Sequence, residues 1–242
     1  MIFVDRKLIL ALAWLPLIAL LLTSCVRSAS SPLPTLASAS ENPTQALAPL
    51  PFPLAPASTW IYEYRAYTED QQATWTVTET ILAAEERDEL LFAEIERLTR
   101  LEEGQPGESF LTQPESGTSW YILRGGELFH QIEMPEPQAI AENARLVMVF
   151  PPENVPCWPV DDALGPLELG ASGCRYVSNF LPVYETPAGT FENCLELLTP
   201  YLSGSIRSVF CPNVGFVAEK YDHLGSSFGY EFVLTGYSLP LP

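Results

Sequence analysis

Basic residues are scarce in this chain. Twelve Lys and Arg stand against 30 Asp and Glu, for a formal net charge of −18, and there are only two histidines. That balance excludes a nucleic-acid partner, because phosphates demand a positive surface, and it argues against electrostatic docking on anionic lipid headgroups. Metal-site spacing is missing too. No Cys-x-x-Cys pair, no His cluster and no Asp-x-Asp-x-Asp-Gly loop occurs, so no metal and no cofactor is expected. A repeat of about 20 to 50 residues, the mark of a solenoid or propeller, is also absent.

What is present begins with the only address in the sequence. Met1 to Lys7 is a short basic segment carrying Arg6 and Lys7 against Asp5. The apolar run Leu8 to Leu22 follows, shorter than a membrane span of about 20 residues and suited to the hydrophobic core of a secretory signal. It ends in Leu22-Thr23-Ser24-Cys25, which resembles the lipobox of bacterial lipoproteins: a Leu, two small residues and the Cys that is acylated. The resemblance implies a signal peptide over residues 1–24, a lipid on Cys25, and a chain anchored by palmitate or similar acyl groups on the extracytoplasmic side of a bacterial membrane. Each buried CH₂ contributes about 0.8 kcal/mol, so two or three acyl chains hold firmly where one holds only marginally. An ordinary signal peptide or an uncleaved anchor is the alternative. Val26 in place of Asp means the usual inner-membrane retention signal is missing.

Removing residues 1–24 leaves 10 basic and 29 acidic residues, a formal charge of about −19, which suits a soluble exported surface. Residues 25–57 read as the lipidated Cys followed by a tether rich in Ser, Ala and Pro, where repeated proline favours extended polyproline II. Apolar residues at its end, Leu50 to Leu54, are expected to pack on the edge of the globular domain over 58–242.

Within that domain the apolar period is two. Trp60, Tyr62 and Tyr64 alternate with Ile61, Glu63 and Arg65, and Trp75, Val77, Glu79 and Ile81 alternate with threonines. Such Thr-, Tyr- and Trp-rich alternation predicts strands. Asp88 to Leu101 fits helix or strand, with strand preferred. Arg124-Gly125-Gly126 predicts a hairpin turn between Ser119–Leu123 and Glu127–Glu133, since paired glycines admit positive φ. Further strands are expected at Ala144–Phe150, Arg175–Tyr184, Phe191–Leu198, Ile206–Cys211, Phe216–Tyr221 and Gly229–Tyr237, with Pro151 to Gly173 irregular. The resulting fold class is mostly β, an antiparallel meander of about ten strands curled into a barrel or half-barrel.

The run Thr186-Pro187-Ala188-Gly189-Thr190-Phe191-Glu192-Asn193-Cys194-Leu195-Glu196-Leu197, then Cys211-Pro212-Asn213-Val214-Gly215-Phe216-Val217, resembles a pattern in exported bacterial β-rich lipoprotein-like proteins. The opening from Pro53 to Tyr64 is similar to theirs as well. What the resemblance implies is a sheet curled around an apolar interior, without any particular activity.

Beyond Cys25, four cysteines remain: Cys157, Cys174, Cys194 and Cys211. An even count in an exported domain suggests two disulfides, with three connectivities open. Cys194 and Cys211 are about equidistant from the turn at Leu202-Ser203, so they are expected to face each other, leaving Cys157 with Cys174.

Candidate chemistry is thin. Gly225-Ser226-Ser227-Phe228-Gly229 matches the nucleophile elbow of serine hydrolases, but it falls between two predicted strands and no His follows it. The acidic run from Glu85 to Glu103 reads as a solvated strand face. Trp60, Tyr62, Tyr64, Trp75 and Trp120 are candidates to line a pocket, although aromatics at alternate positions are more often core. Three functions stay open: binding of an apolar small molecule or envelope protein, a filled structural or interaction module, and a serine hydrolase using Ser227.

Overall fold

A computed structural model describes residues 52–105, 114–132, 144–160 and 172–240. The chain divides into Met1–Gln45 and Ala46–Pro242, and all described residues belong to the second unit. Cys25, the signal segment and nearly all of the tether, together with residues 106–113, 133–143 and 161–171, lie outside the described residues.

The expected antiparallel meander is what the chain forms, with twelve strands among the described residues rather than about ten. In chain order they are β1 (Thr59–Tyr67), β2 (Gln72–Arg87), β3 (Leu90–Glu103), β4 (Gly117–Arg124), β5 (Glu127–Gln131) and β6 (Arg145–Val149), then β7 (Trp158–Pro159), β8 (Cys174–Thr186), β9 (Gly189–Tyr201), β10 (Gly204–Cys211), β11 (Gly215–His223) and β12 (Gly229–Ser238). The ambiguous stretch after Arg87 is strand: Asp88 and Glu89 form its turn with φ of +50° and +67°, and β3 starts at Leu90. A single 3₁₀ turn spans Pro152–Asn154.

Strand order is β6-β5-β4-β3-β2-β1-β12-β11-β10-β9-β8-β7. The first strand therefore pairs with the last, Tyr64 opposite Phe232, and the sheet curls so that its free ends, β6 and β7, fall in mid-chain. Arg175 of β8 reaches across these ends and donates from Nη1 to the carbonyl of Val147 on β6 at 3.0 Å. The result is a nearly closed barrel.

Alternation decides what faces inward. Trp60, Tyr62, Tyr64 and Ala66 of β1 are all buried, as are Ala73, Trp75, Val77, Glu79 and Ile81 of β2. Phe52 and Leu54, from the end of the Pro-rich stretch, join this core. Phe52 lies against Phe210, Trp60, Tyr121 and Phe216 with centroids 5.2–6.4 Å apart. A second buried row, Phe92, Ile122, Phe129 and Leu146, runs in register across β3 to β6. Burying one Phe or Leu side chain is worth about 1.5–3 kcal/mol, so these rows supply much of the fold's stability.

Both expected cysteine pairs are bonded, Cys157 to Cys174 and Cys194 to Cys211. The second follows from register: Leu195 sits opposite Phe210, which brings the adjacent cysteines together with Cα atoms 4.2 Å apart.

Candidate functional site

The interior is not entirely filled. A cavity of about 580 Å³ lies inside the barrel, within the range of about 300–1,000 Å³ usual for ligand pockets. Strand pairing builds its wall as a polar belt. Trp60, Glu79 and Arg97 sit opposite one another across β1, β2 and β3. Tyr121, His130 and Arg145 do so across β4, β5 and β6, and Ser208, Glu219 and Phe232 across β10, β11 and β12. Arg175 completes the belt where the sheet ends meet.

Each charge in the belt has a definite setting. Glu79, 6% exposed, accepts from Arg97 Nε at 2.9 Å and again from Nη2. Burial works against the Arg97 cation, yet the Glu79 carboxylate overrides it and raises the Arg97 pKa further. Glu219 uses both oxygens, accepting from Tyr230 Oη at 2.8 Å and from Ser208 Oγ at 2.9 Å. Burial, and then Glu219, pushes the Tyr230 phenol well above its ordinary range. Tyr62 and Tyr121 shift in the same direction, burial leading and Glu79 second. Desolvation, followed by the charges of Arg97 and Arg145, drives His130 down to about 4, so its imidazole is neutral at physiological pH. Arg175 donates from Nε to Thr199 Oγ1 at 2.9 Å in addition to its bond across the seam.

Of the aromatics singled out from sequence, two reach the cavity. Trp60 lines it and donates from Nε1 to the carbonyl of Val214 at 2.7 Å. Tyr62 lines it as well, donating to the carbonyl of Phe216 at 3.1 Å and stacking on Phe232 with centroids 4.1 Å apart. Tyr64 and Trp75 are buried edge-to-face against each other at 5.7 Å and belong to the packed core. Trp120, opposite Gln131 and one residue out of phase with Tyr121, is on the other face.

Sequence reasoning missed Glu79, Arg97, His130, Arg145, Arg175 and Glu219. A signal existed in the phase: Glu79 follows Trp75 and Val77 at even spacing, and Arg97 follows Ala93 and Ile95 in the same way. A charge in step with buried residues points inward.

The Gly225–Gly229 segment is the turn between β11 and β12, two antiparallel neighbours, with Gly225 at φ +84°. Ser226, not Ser227, is the residue within 2.8 Å of His223 Nδ1. A nucleophile elbow needs a strand-to-helix turn, and none is there.

No protein-family model matches the chain, and no curated protein matches it. Among solved structures it is similar to a "putative exported protein with YmcC-like fold" from Bacteroides fragilis, at 12% identity and a TM-score of 0.48, covering 78% of this chain and 99% of that one. It is also similar to a "putative lipoprotein" from Parabacteroides distasonis, at 13% identity and a TM-score of 0.45, covering 78% of this chain and 98% of that one.

Proposed function

We propose that this chain is a bacterial lipoprotein, anchored through acylated Cys25 on the extracytoplasmic side of a membrane, whose barrel binds a small molecule. The observation that carries the reading is the cavity: a half-open space of about 580 Å³ lined by residues from strands around the barrel. A filled interaction module has no use for such a space. Two disulfides in the barrel suit an oxidising compartment, in agreement with the lipobox. The belt of charged groups refines the ligand from apolar to amphipathic, with aromatic wall for one end and polar groups for the other.

Native mass spectrometry of the full-length protein, purified from membranes in a mild neutral detergent, tests binding. A low-mass species retained in the native spectrum and released on denaturation is the expected result, and clean spectra from several independent preparations would contradict it. Lipidation is tested separately. Labelled palmitate is expected to enter the wild-type protein, and Cys25→Ser is expected to lose both the label and membrane association.

A further inference from the structure

In a chain of net charge −18, the cavity wall built by β3, β5, β6 and β8 carries Arg97, His130, Arg145 and Arg175. Of these four, only Arg97 has a carboxylate partner among the described residues. Neither Arg145 nor Arg175 pairs with Asp or Glu among the described residues, although Arg175 is only 9% exposed. A guanidinium this buried, bonded among the described residues to neutral oxygens alone, sits in a medium of low dielectric where an anion beside it would be strongly favoured. Glu219 also lines the cavity, but its two oxygens accept from Ser208 and Tyr230 and it forms no ion pair with Arg145 or Arg175.

The two cations are close in the fold. Arg175 bonds the carbonyl of Val147, two residues along β6 from Arg145, and that interval spans roughly 7 Å of strand. The cavity is also lined by the apolar rings of Phe52, Trp60, Phe216 and Phe232, with Glu79 opposite Trp60 and Glu219 opposite Phe232 in the strand register.

We infer that the ligand is an amphipathic anion, a carboxylate on a compact apolar or aromatic body, with its head at Arg145 and Arg175 and its body against the Phe52–Trp60–Phe216 wall. The inference rests on the ligand-cavity reading above and adds the sign of the ligand's charge. Arginine presents planar paired donors that match a carboxylate. Neutral His130 beside Arg145 adds a donor or acceptor without adding charge.

Calorimetric titration of the full-length protein in nonionic detergent with three probes of equal body tests this: 1-naphthaleneacetate, 1-naphthaleneethanol and 1-naphthylmethylammonium. The acid is expected to bind at least about tenfold more tightly than the alcohol, the ammonium more weakly than either, and added salt to weaken only the acid's advantage. Arg145→Gln is expected to remove most of that advantage and Arg145→Lys to keep part of it. Arg145 is exposed and its side chain makes no hydrogen bond or ion pair to a described residue, so both variants keep the β5–β6 backbone pairing. Equal affinity for acid and alcohol overturns the inference and leaves the binding cavity standing. Preference for the ammonium overturns it too, as does absence of binding by all three. If in addition nothing co-purifies with the native protein, the cavity reading falls with it.

Discussion

Glu79 and Arg97 show how much one residue's neighbour decides inside this barrel. Glu79 is almost fully enclosed, while the Arg97 side chain keeps 38% of its surface open toward the cavity. Removing the carboxylate leaves a cation half out of water with no counter-charge, so Glu79→Gln is expected to lower stability by about 1–3 kcal/mol, less than the full penalty for a wholly buried pair. Adding Arg97→Met should recover part of the loss, and chemical denaturation of the single and double variants measures it. His130 supplies a pH dependence with a definite sign. Its pKa is about 4 in the folded chain against 6.5 for the free side chain, so the unfolded state binds more protons between those values. The stability this group contributes is thus complete above pH 6.5 and is lost as pH falls toward 4, with a slope of at most about 1.4 kcal/mol per pH unit. Wild-type and His130→Gln stabilities, compared across that window in ligand-free protein, should differ most at its upper end, and parallel curves would contradict the assignment. None of these roles was visible in composition; the signal lay in phase alone, Glu79 and Arg97 standing in step with the buried residues of their own strands.

The hairpins differ in how openly they announce themselves. Gly125-Gly126 adopts φ of +53° and +95° and was legible because two glycines between alternating runs admit a turn that other residues resist. Asp88-Glu89 makes an equally tight turn with positive φ at both positions, yet neither residue type signals it, so β3 looked longer at its start than it is. β7 escaped notice because two residues among prolines carry no period. The two glycines of the legible turn are not equivalent. A Cβ on Gly126 would stand 2.7 Å from the Phe150 carbonyl oxygen, whereas a Cβ on Gly125 meets nothing within 4 Å. Gly126→Val is therefore expected to cost about 2 kcal/mol or more, and Gly125→Asn, which tolerates the left-handed region, to be nearly neutral. Thermal unfolding of the two variants decides the point. In the β9–β10 hairpin, Cys194→Ala with Cys211→Ala opens a link of 17-residue separation and is expected to remove about 3 kcal/mol, measured by denaturation against the intact protein.

For the molecule as a whole, the decisive feature is where the barrel is left open. A meander whose first and last strands pair must carry its seam in the middle of the chain, and here that is between β6 and β7. Local alternation revealed the strands and the curl but not this closure, since pairing between β1 and β12 links residues more than 160 positions apart and leaves no trace in local sequence. At the seam Arg175 ties β6 to β8 through Val147 and is anchored by Thr199. The same residue is one of the two cations at the head of the proposed anion site, so the seam and the ligand compete for its donors or share them. Arg175→Met keeps the apolar stem and removes every polar contact. Amide hydrogen exchange should then accelerate at Arg145–Val149 of β6, the strand freed at one edge, while amides of β1 and β12 in the closed part of the sheet retain their protection. Uniform loss of protection around the barrel would mean that Arg175 supports the fold globally, and unchanged exchange in β6 would mean that the seam is held by other contacts. The confined response is the one expected of a latch whose release exposes the cavity.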